Sequence, residues 1–204
     1  MKKDFEEIKK EKQSVIFDAA LKVIKEKGFH QARISDIAER AGVSYGLVYH
    51  YFKNKQALFD EIFGQWAASL DQFLDGIIAS DETFQRKLRI LIHYFLDTYQ
   101  QKPDLIHFFI TQISRSSSNL TETRLDHFRK FFILIENILL QGQKQKILRS
   151  DFEARYLTYI FLGAMETFLS VMVFGEETIK NDRQKEKITD FILEIFLNGA
   201  KEAA

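Results

Sequence analysis

The sequence predicts an all-α protein, with a three-helix helix-turn-helix unit at the N-terminus and a larger C-terminal helical bundle, about nine helices in total. Three observations predict this class. Apolar residues recur at spacings of three and four almost everywhere, and nothing alternates with the period of two that a strand requires. One Pro and nine Gly in 204 residues leave room for few turns, hence for long helices. The helices before Asn54 read as short and those after it as long, which divides the chain into residues 1–55 and residues 56–204.

Ile16, Ala20, Val23 and Ile24 form the stripe of the first helix, and Gly28 stops it where a left-handed cap would sit. Ile37, Ala38 and Ala41 mark a short second helix ended by Gly42. The stretch GVSYGLVYHYF, residues 42 to 52, carries the third. Asn54 is the expected N-cap of a long fourth helix, with Leu58, Phe59, Ile62, Phe63, Trp66, Leu70, Phe73 and Ile77 along one side. Phe84 to Tyr99 reads as a fifth, closed by Pro103, and Leu105 to Ser114 as a short sixth. Leu125, Phe128, Phe132, Ile135 and Leu139 make a seventh ending near Gly142. The last two run through 152–174 and about 184–198. Ser116 to Asn119 is a polar cluster that reads as a loop or the cap of the seventh helix.

Composition excludes several chemistries. Without cysteine there is no disulfide scaffold, thiolate zinc site, iron–sulfur cluster or cysteine nucleophile, and a reducing interior is the natural setting. The N-terminus mixes both charge signs without an apolar run, unlike a secretory signal or a transit peptide. Residues 156–175 match a bilayer in length, but Glu166 lies at their middle, where a carboxylate costs about 3 kcal/mol. That segment reads as a buried helix, and the protein as cytoplasmic with no membrane contact. Net charge is zero, yet residues 9–55 hold ten Lys or Arg against five Asp or Glu, a surplus of five positive charges that the remainder cancels. Such a polarity suits an anion-binding head on a neutral-to-acidic body.

The head carries the clearest chemistry. Gly42 permits a left-handed turn between the second and third helices, Val43 fills the angle between them, and Ser44 caps the helix that follows. Val48 and Phe52, four apart, point inward. The opposite side then presents Gly46, Leu47 and His50, flanked by Tyr49 and Tyr51, with Tyr45 at the tip. A core would prefer residues without polar ends, and a solvated face would prefer Lys and Glu. Amphipathic aromatics suit a major groove, where thymine methyls, base-edge donors and acceptors, and phosphates lie within a few ångströms of each other. Gly46 lets the backbone approach, Tyr45 and Leu47 can touch base edges, and Tyr49 and Tyr51 can reach phosphates. Lys55, in the first turn of the fourth helix, would add a cation beside phosphate.

Gly28-Phe29 together with IAERAGVSYGLVYHYFKNKQAL, residues 37 to 58, resembles the N-terminal domain of TetR-type transcriptional regulators. The resemblance implies an all-helical homodimer whose third helix reads double-stranded DNA at a palindromic operator. In that family the positions matching Tyr45, Gly46, Leu47, Tyr49, His50, Tyr51 and Lys55 are the usual DNA contacts, and Lys12, at the start of the first helix, matches a basic phosphate-contacting position. One position departs from the pattern: where the family has Thr or Ser capping the second helix, this sequence has Arg33. Either Ser35 caps a later start, or Arg33 exchanges the cap for a phosphate contact.

A head of this size does not need the remaining residues merely to fold, so the body has work of its own: pairing and sensing. Leu157, Ile160, Phe161, Ala164, Phe168 and Val171 on the eighth helix, and Ile188, Phe191, Ile192, Ile195 and Phe196 on the ninth, form broad apolar faces suited to a two-fold four-helix interface. The aromatic load of the fourth to eighth helices would line a pocket for a small hydrophobic ligand: Phe63, Trp66, Leu70, Leu91, Phe95, Phe108, Phe109, Phe128, Phe131, Phe132, Phe161 and Met165. His93, Tyr94, Gln112, Asn137 and Glu166 are polar positions that could orient its head group. Thr111-Gln112, Arg115, Ser117, Asn119-Leu120 and the Gln-rich run Leu139 to Ile147 are similar to the acyl-CoA-responsive branch of the family, which controls fatty-acid degradation. This implies a repressor released by acyl-CoA or fatty acid, with a mainly aromatic drug-like ligand as the competing reading of the pocket; in the switch we expect, ligand tilts the shared fourth helix and changes the separation of the two reading heads.

The sequence has no Gly-rich phosphate loop, no His-Glu-x-x-His and no nucleophile elbow, so no enzymatic activity and no cofactor are expected. The histidines, at 30, 50, 93, 107 and 127, lack the helix-face spacing of a metal pair. The rival reading is a helical bundle that binds an acyl or other hydrophobic ligand without binding DNA. It predicts no salt-dependent affinity for duplexes.

Overall fold

The computed structural model of the chain describes residues 2–114 and 122–200, with side chains for all of these except 2–6, 112–114 and 123. Its helices are α1 (Lys2–Gln31), α2 (Ile34–Ala41), α3 (Tyr45–Tyr51), α4 (Lys55–Ala79), α5 (Phe84–Gln101), α6 (Pro103–Phe108), α7 (Glu122–Lys144), α8 (Ala154–Phe174) and α9 (Asp182–Ala200). A π-helical segment, Phe109–Ser114, continues α6. The polar cluster Ser116 to Asn119, with Arg115 and Leu120, lies outside the described residues.

The first helix is not short. It begins at Lys2, because the N-terminal run is rich in Lys, Glu and Gln, which favour helix even without an apolar stripe. Lys12 therefore sits inside a helix rather than at its start. Gly28 breaks α1, but at φ 76° and ψ 157° it is extended instead of in the left-handed helical conformation expected of a cap, and a last turn continues from it to Gln31. The turn between α2 and α3 closes as a Schellman motif: Gly42, at φ 66° and ψ 30°, donates its N–H to Glu39, and Val43 donates to Ala38.

Two apolar clusters organise the chain. The first joins α1, α2 and α3 through Ile16, Ala20, Ile24, Ile37, Val48 and Phe52, and takes Leu58, Phe59, Ile62 and Phe63 from α4 and Leu105 and Phe108 from α6. The core of the head thus runs past residue 55 into α4 and reaches α6. The second cluster holds the rest of α4 with α5, α7, α8 and α9, and Trp66 packs against both. Helix α4 is accordingly shared, its N-terminal half belonging to the head and its C-terminal half to the body.

Helices α4 and α7 lie side by side and run the same way, because their cross-links ascend together. Arg124 pairs with Asp60 at 2.7 Å and Lys130 with Asp71 at 3.0 Å. Further along, the buried Lys87 of α5 donates to the Ile78 carbonyl and to Gln141. Gly142 lies within the last turn of α7 instead of ending it, and the left-handed residue of that reversal is Lys146, at φ 55°. The glycine is there because Phe84 and Leu148 press on it: a Cβ would meet the Phe84 ring at 2.7 Å.

Helix α8 is the one described helix long and apolar enough to cross a membrane, with mean hydropathy 1.7 over its best window, and half of that window is buried. Its inner face, Leu157, Phe161, Met165 and Leu169, belongs to the body core.

Candidate nucleic-acid interface and binding cavity

The α2–α3 corner is held by main-chain and short side-chain bonds that leave its outer edge open. The Ser44 hydroxyl accepts from the Leu47 N–H at 3.2 Å, capping α3, and Val48 and Phe52 anchor the helix in the head core. Tyr45 and Tyr49 then stand outside, 53% and 43% exposed, their rings 4.8 Å apart. A hydrogen bond between them pushes the Tyr45 hydroxyl above the usual tyrosine range. Gly46 and His50 are exposed beside them, Leu47 is half-buried, and Tyr51 leans on the head core.

Arg33 is the N-cap residue of α2, and the choice between it and Ser35 resolves through a third residue. The helix starts at Ile34, so Ser35 lies inside it. Asp36 supplies the cap, its carboxylate accepting the Arg33 N–H at 3.1 Å and pairing with Lys27 at 3.1 Å. Lys27 and that N–H hold the Asp36 carboxyl below the usual aspartate range. The Arg33 guanidinium is left to the exposed side of the head, as is the Lys12 ammonium on α1.

Lys55 departs from expectation. Its ammonium turns inward and donates to the carbonyls of Phe29, His30 and Ala32, at 2.5, 3.2 and 3.0 Å, while lying over the Phe29 ring. Desolvation there lowers its pKa from the usual lysine value. All three donors are engaged, so Lys55 ties α4 to the turn after α1 instead of presenting a cation to phosphate. Other cations of the basic head are likewise engaged internally: Lys25 with Asp104, Lys27 with Asp36, and Arg40 with Glu26.

In the body, a cavity of about 410 Å³ opens between α4, α5, α7 and α8 and the π-helical segment. Phe63, Trp66, Leu70, Phe95, Phe109, Phe128, Phe131, Phe132 and Met165 line it, as the aromatic pattern predicts. Rings stack around it in a nearly continuous collar, with Trp66–Phe109 centroids at 4.6 Å and Phe109–Phe128 at 5.9 Å. Asp71 and His127 are polar wall residues that the periodicity did not reveal. Asp71 sits on the apolar face of α4 because Lys130 reaches across to neutralise it. Tyr159 and Gly163 complete the wall, and Glu166 is the one suggested head-group residue found there.

The other expected pocket residues lie elsewhere. Leu91, Phe108 and Phe161 are fully packed core: Phe108 stacks on Phe59 in the head cluster, and Phe161 meets Phe196 of α9. Tyr94 stacks on Phe73 and faces a separate crevice between α1 and the body, where Lys10, Phe17 and Lys102 also lie. His93 packs against Glu186, and Asn137 is exposed. The Gln112 side chain is outside the described residues. The pairing faces divide in the same way. Ile160, Ala164, Phe191 and Ile195 are exposed and Phe168 half-buried, whereas Leu157, Phe161 and Ile192 are buried within the chain itself and cannot meet a partner.

This arrangement has close counterparts. The chain is 25% identical over 195 residues to the fatty acid metabolism regulator protein of Bacillus subtilis, covering 94% of this chain and 96% of that one. The structure superposes on the fatty acid degradation regulator FadR of Bacillus halodurans with a TM-score of 0.81 at 21% identity, over 94% of this chain and 97% of that one. It also superposes on B. subtilis FadR in complex with stearoyl-CoA, with a TM-score of 0.78 at 22% identity, over 91% and 98%. Residues 16–62 match the bacterial regulatory proteins of the tetR family, and residues 59–195 match the C-terminal region of YsiA-like proteins. With the head and the body both accounted for, the chain belongs to the tetR family of bacterial regulatory proteins.

Proposed function

We propose that the chain is a cytoplasmic, acyl-CoA-responsive repressor that binds a palindromic operator as a homodimer paired through α8 and α9. The observation that carries the effector reading is the aromatic cavity wrapped around α4. Its volume falls in the range of small-ligand sites, roughly 300–1,000 Å³, and its wall is apolar enough for a long acyl chain. The relative crystallised with stearoyl-CoA supports the same class of ligand.

In this reading Tyr45, Gly46, Leu47 and His50 meet base edges. Tyr49, Tyr51, Arg33 and Lys12 meet phosphates, and Ser44 holds the reading helix in shape. Two heads related by the two-fold axis then address two half-sites. An acyl chain lodged against α4, α7 and α8 in this cavity favours a different α4 tilt. Because α4 is built into the head core and tied to the α1–α2 turn by Lys55, the tilt moves the reading helix.

Selection of bound duplexes from a random pool tests the reading, and a palindrome is expected. Binding should weaken with salt at a log–log slope near 0.9 per phosphate neutralised. Tyr45→Ala should relax sequence preference, Arg33→Ala should weaken all sequences alike, and palmitoyl-CoA should release the operator. A protein that ignores every duplex at low ionic strength would instead be the ligand-binding bundle without DNA binding.

A further inference from the structure

The crevice between α1 and the body is a second space, of about 570 Å³, on the other side of Trp66 from the aromatic cavity. Phe17, Leu21, Ile62, Trp66 and Leu105, all buried or half-buried, form its floor, and the exposed Ser14, Gln65, Ser69 and Gln101 form a hydrogen-bonding rim. Two cations line it, Lys10 on α1 and Lys102 at the end of α5, against one acid, Asp18. Elsewhere on this seam Lys25 is paired with Asp104, but among the described residues Lys10 and Lys102 enter no ion pair. Trp66 is the one lining residue that crevice and cavity share. Its ring meets Phe109 on the cavity side, while its indole N–H is buried without a well-formed hydrogen bond, near the hydroxyl of Tyr94, a crevice residue.

We infer that the crevice is a second ligand site, built for a small anionic amphiphile: an apolar body laid on the Phe17–Trp66 floor and a carboxylate drawn by the Lys10 and Lys102 ammonium groups. Three features select this class. The floor offers aromatic and aliphatic surface, and the space falls within the range of small-ligand sites, roughly 300–1,000 Å³. Lysine ammonium and indole N–H groups only donate hydrogen bonds, so the groups without partners call for an acceptor, and the surplus of cations calls for a negative one. The cavity has the opposite character, with Asp71 and Glu166 on its wall and neither Lys nor Arg, so a short anion that cannot keep its charge outside is directed to the crevice. An occupant there touches α1 of the head and α5 of the body together, and Trp66 places it against the cavity wall.

The site depends on neither the operator nor the acyl-CoA reading, and it is tested with the full chain and three probes. These are 4-phenylbutyrate, its uncharged counterpart 4-phenyl-1-butanol, and 1-decanol, which suits the apolar cavity. Binding of the first two is followed by the emission of Trp66, the sole tryptophan. The wild-type chain should bind phenylbutyrate about fivefold more tightly than phenylbutanol, and the difference should shrink with added salt. Lys10→Ala with Lys102→Ala removes two cations that hold no ion pair, so the fold should persist while the two affinities become level. By calorimetry, protein saturated with decanol should still take up phenylbutyrate, giving a complex with both compartments filled. Equal affinities for phenylbutyrate and phenylbutanol in the wild type overturn the inference, as do a preference for phenylbutyrate that survives loss of both lysines and displacement of phenylbutyrate by decanol. The first and last of these comparisons use the wild-type chain alone, so a misfolded double mutant would not protect the idea.

Discussion

At the scale of single residues, what was legible were the groups whose role is fixed by their immediate neighbours. Gly42, Ser44 and Asn54 act through bonds within three or four residues, and the sequence places each of them correctly. Lys55 was misread because its partners, the carbonyls of Phe29, His30 and Ala32, are more than twenty residues away and carry no side-chain signal. The start of α2 is capped from inside by Asp36, a carboxylate three residues after Arg33, with no Ser or Thr at the cap position. His107 was noted only as one of five histidines, yet it sits on α6 beside the Lys25–Asp104 pair that joins α6 to α1, with Nδ1 buried. Burial, with Lys25 nearby and against the pull of Asp104, lowers its pKa from the usual histidine value. The folded state therefore binds fewer protons than the unfolded one just below the unfolded value, so stability falls as pH drops from about 6.5 towards the folded pKa. The urea midpoint should be lower at pH 5.5 than at pH 7.5, and His107→Gln should remove part of that difference. An equal pH slope in the variant would show that other groups carry it.

At the scale of elements, periodicity located every helix but not which of its faces met what. Leu91, Phe108 and Phe161 share the spacing of the cavity residues and differ only in which neighbour covers them, a fact of packing that no single stripe records. The α4–α7 seam is likewise invisible in sequence, because its pairs bring together residues sixty or so positions apart. Arg124 is 3% exposed and bridges to Asp60 while lying over the Phe63 ring. Removing it empties a buried site over the Phe63 ring while Asp60, 40% exposed, is left to water and Gln56, so Arg124→Ala should cost about 1–3 kcal/mol, mostly as lost packing. Arg129→Ala, one turn away in an exposed pair with Asp126, should cost less than about 0.5 kcal/mol. Urea unfolding of the two variants would expose equal losses if the seam were no more than surface decoration. Gly142→Ala tests the α5–α7 contact separately. The added methyl meets the Phe84 ring and Leu148 together, so overpacking should cost about 1–3 kcal/mol even though alanine favours helix.

At the scale of the whole molecule, head and body are joined through aromatic packing rather than a linker. Phe29 of the α1–α2 turn packs edge-on against Phe59 of α4, with centroids 5.2 Å apart, and Phe59 meets Phe108 of α6 at 5.4 Å. The next residue, Phe109, begins the π-helical segment and belongs to the cavity wall against Trp66 and Phe128. Consecutive residues thus fill the head core and face the cavity, at the point where the helix changes pitch. A ligand that displaced this wall would act on Phe109 directly and on Phe108 through the backbone they share. If this junction transmits the signal, the coupling must be reciprocal: the factor by which palmitoyl-CoA weakens operator binding equals the factor by which operator weakens palmitoyl-CoA. Calorimetry of the ligand with and without a saturating operator duplex measures one factor, and operator titration with and without ligand measures the other. Phe108→Leu keeps an apolar plug in the head but loses the ring contact to Phe59, so it should bring both factors towards one together while each partner still binds alone. Factors that stay large and equal in that variant would route the signal through the α4–α7 seam and Lys55 instead.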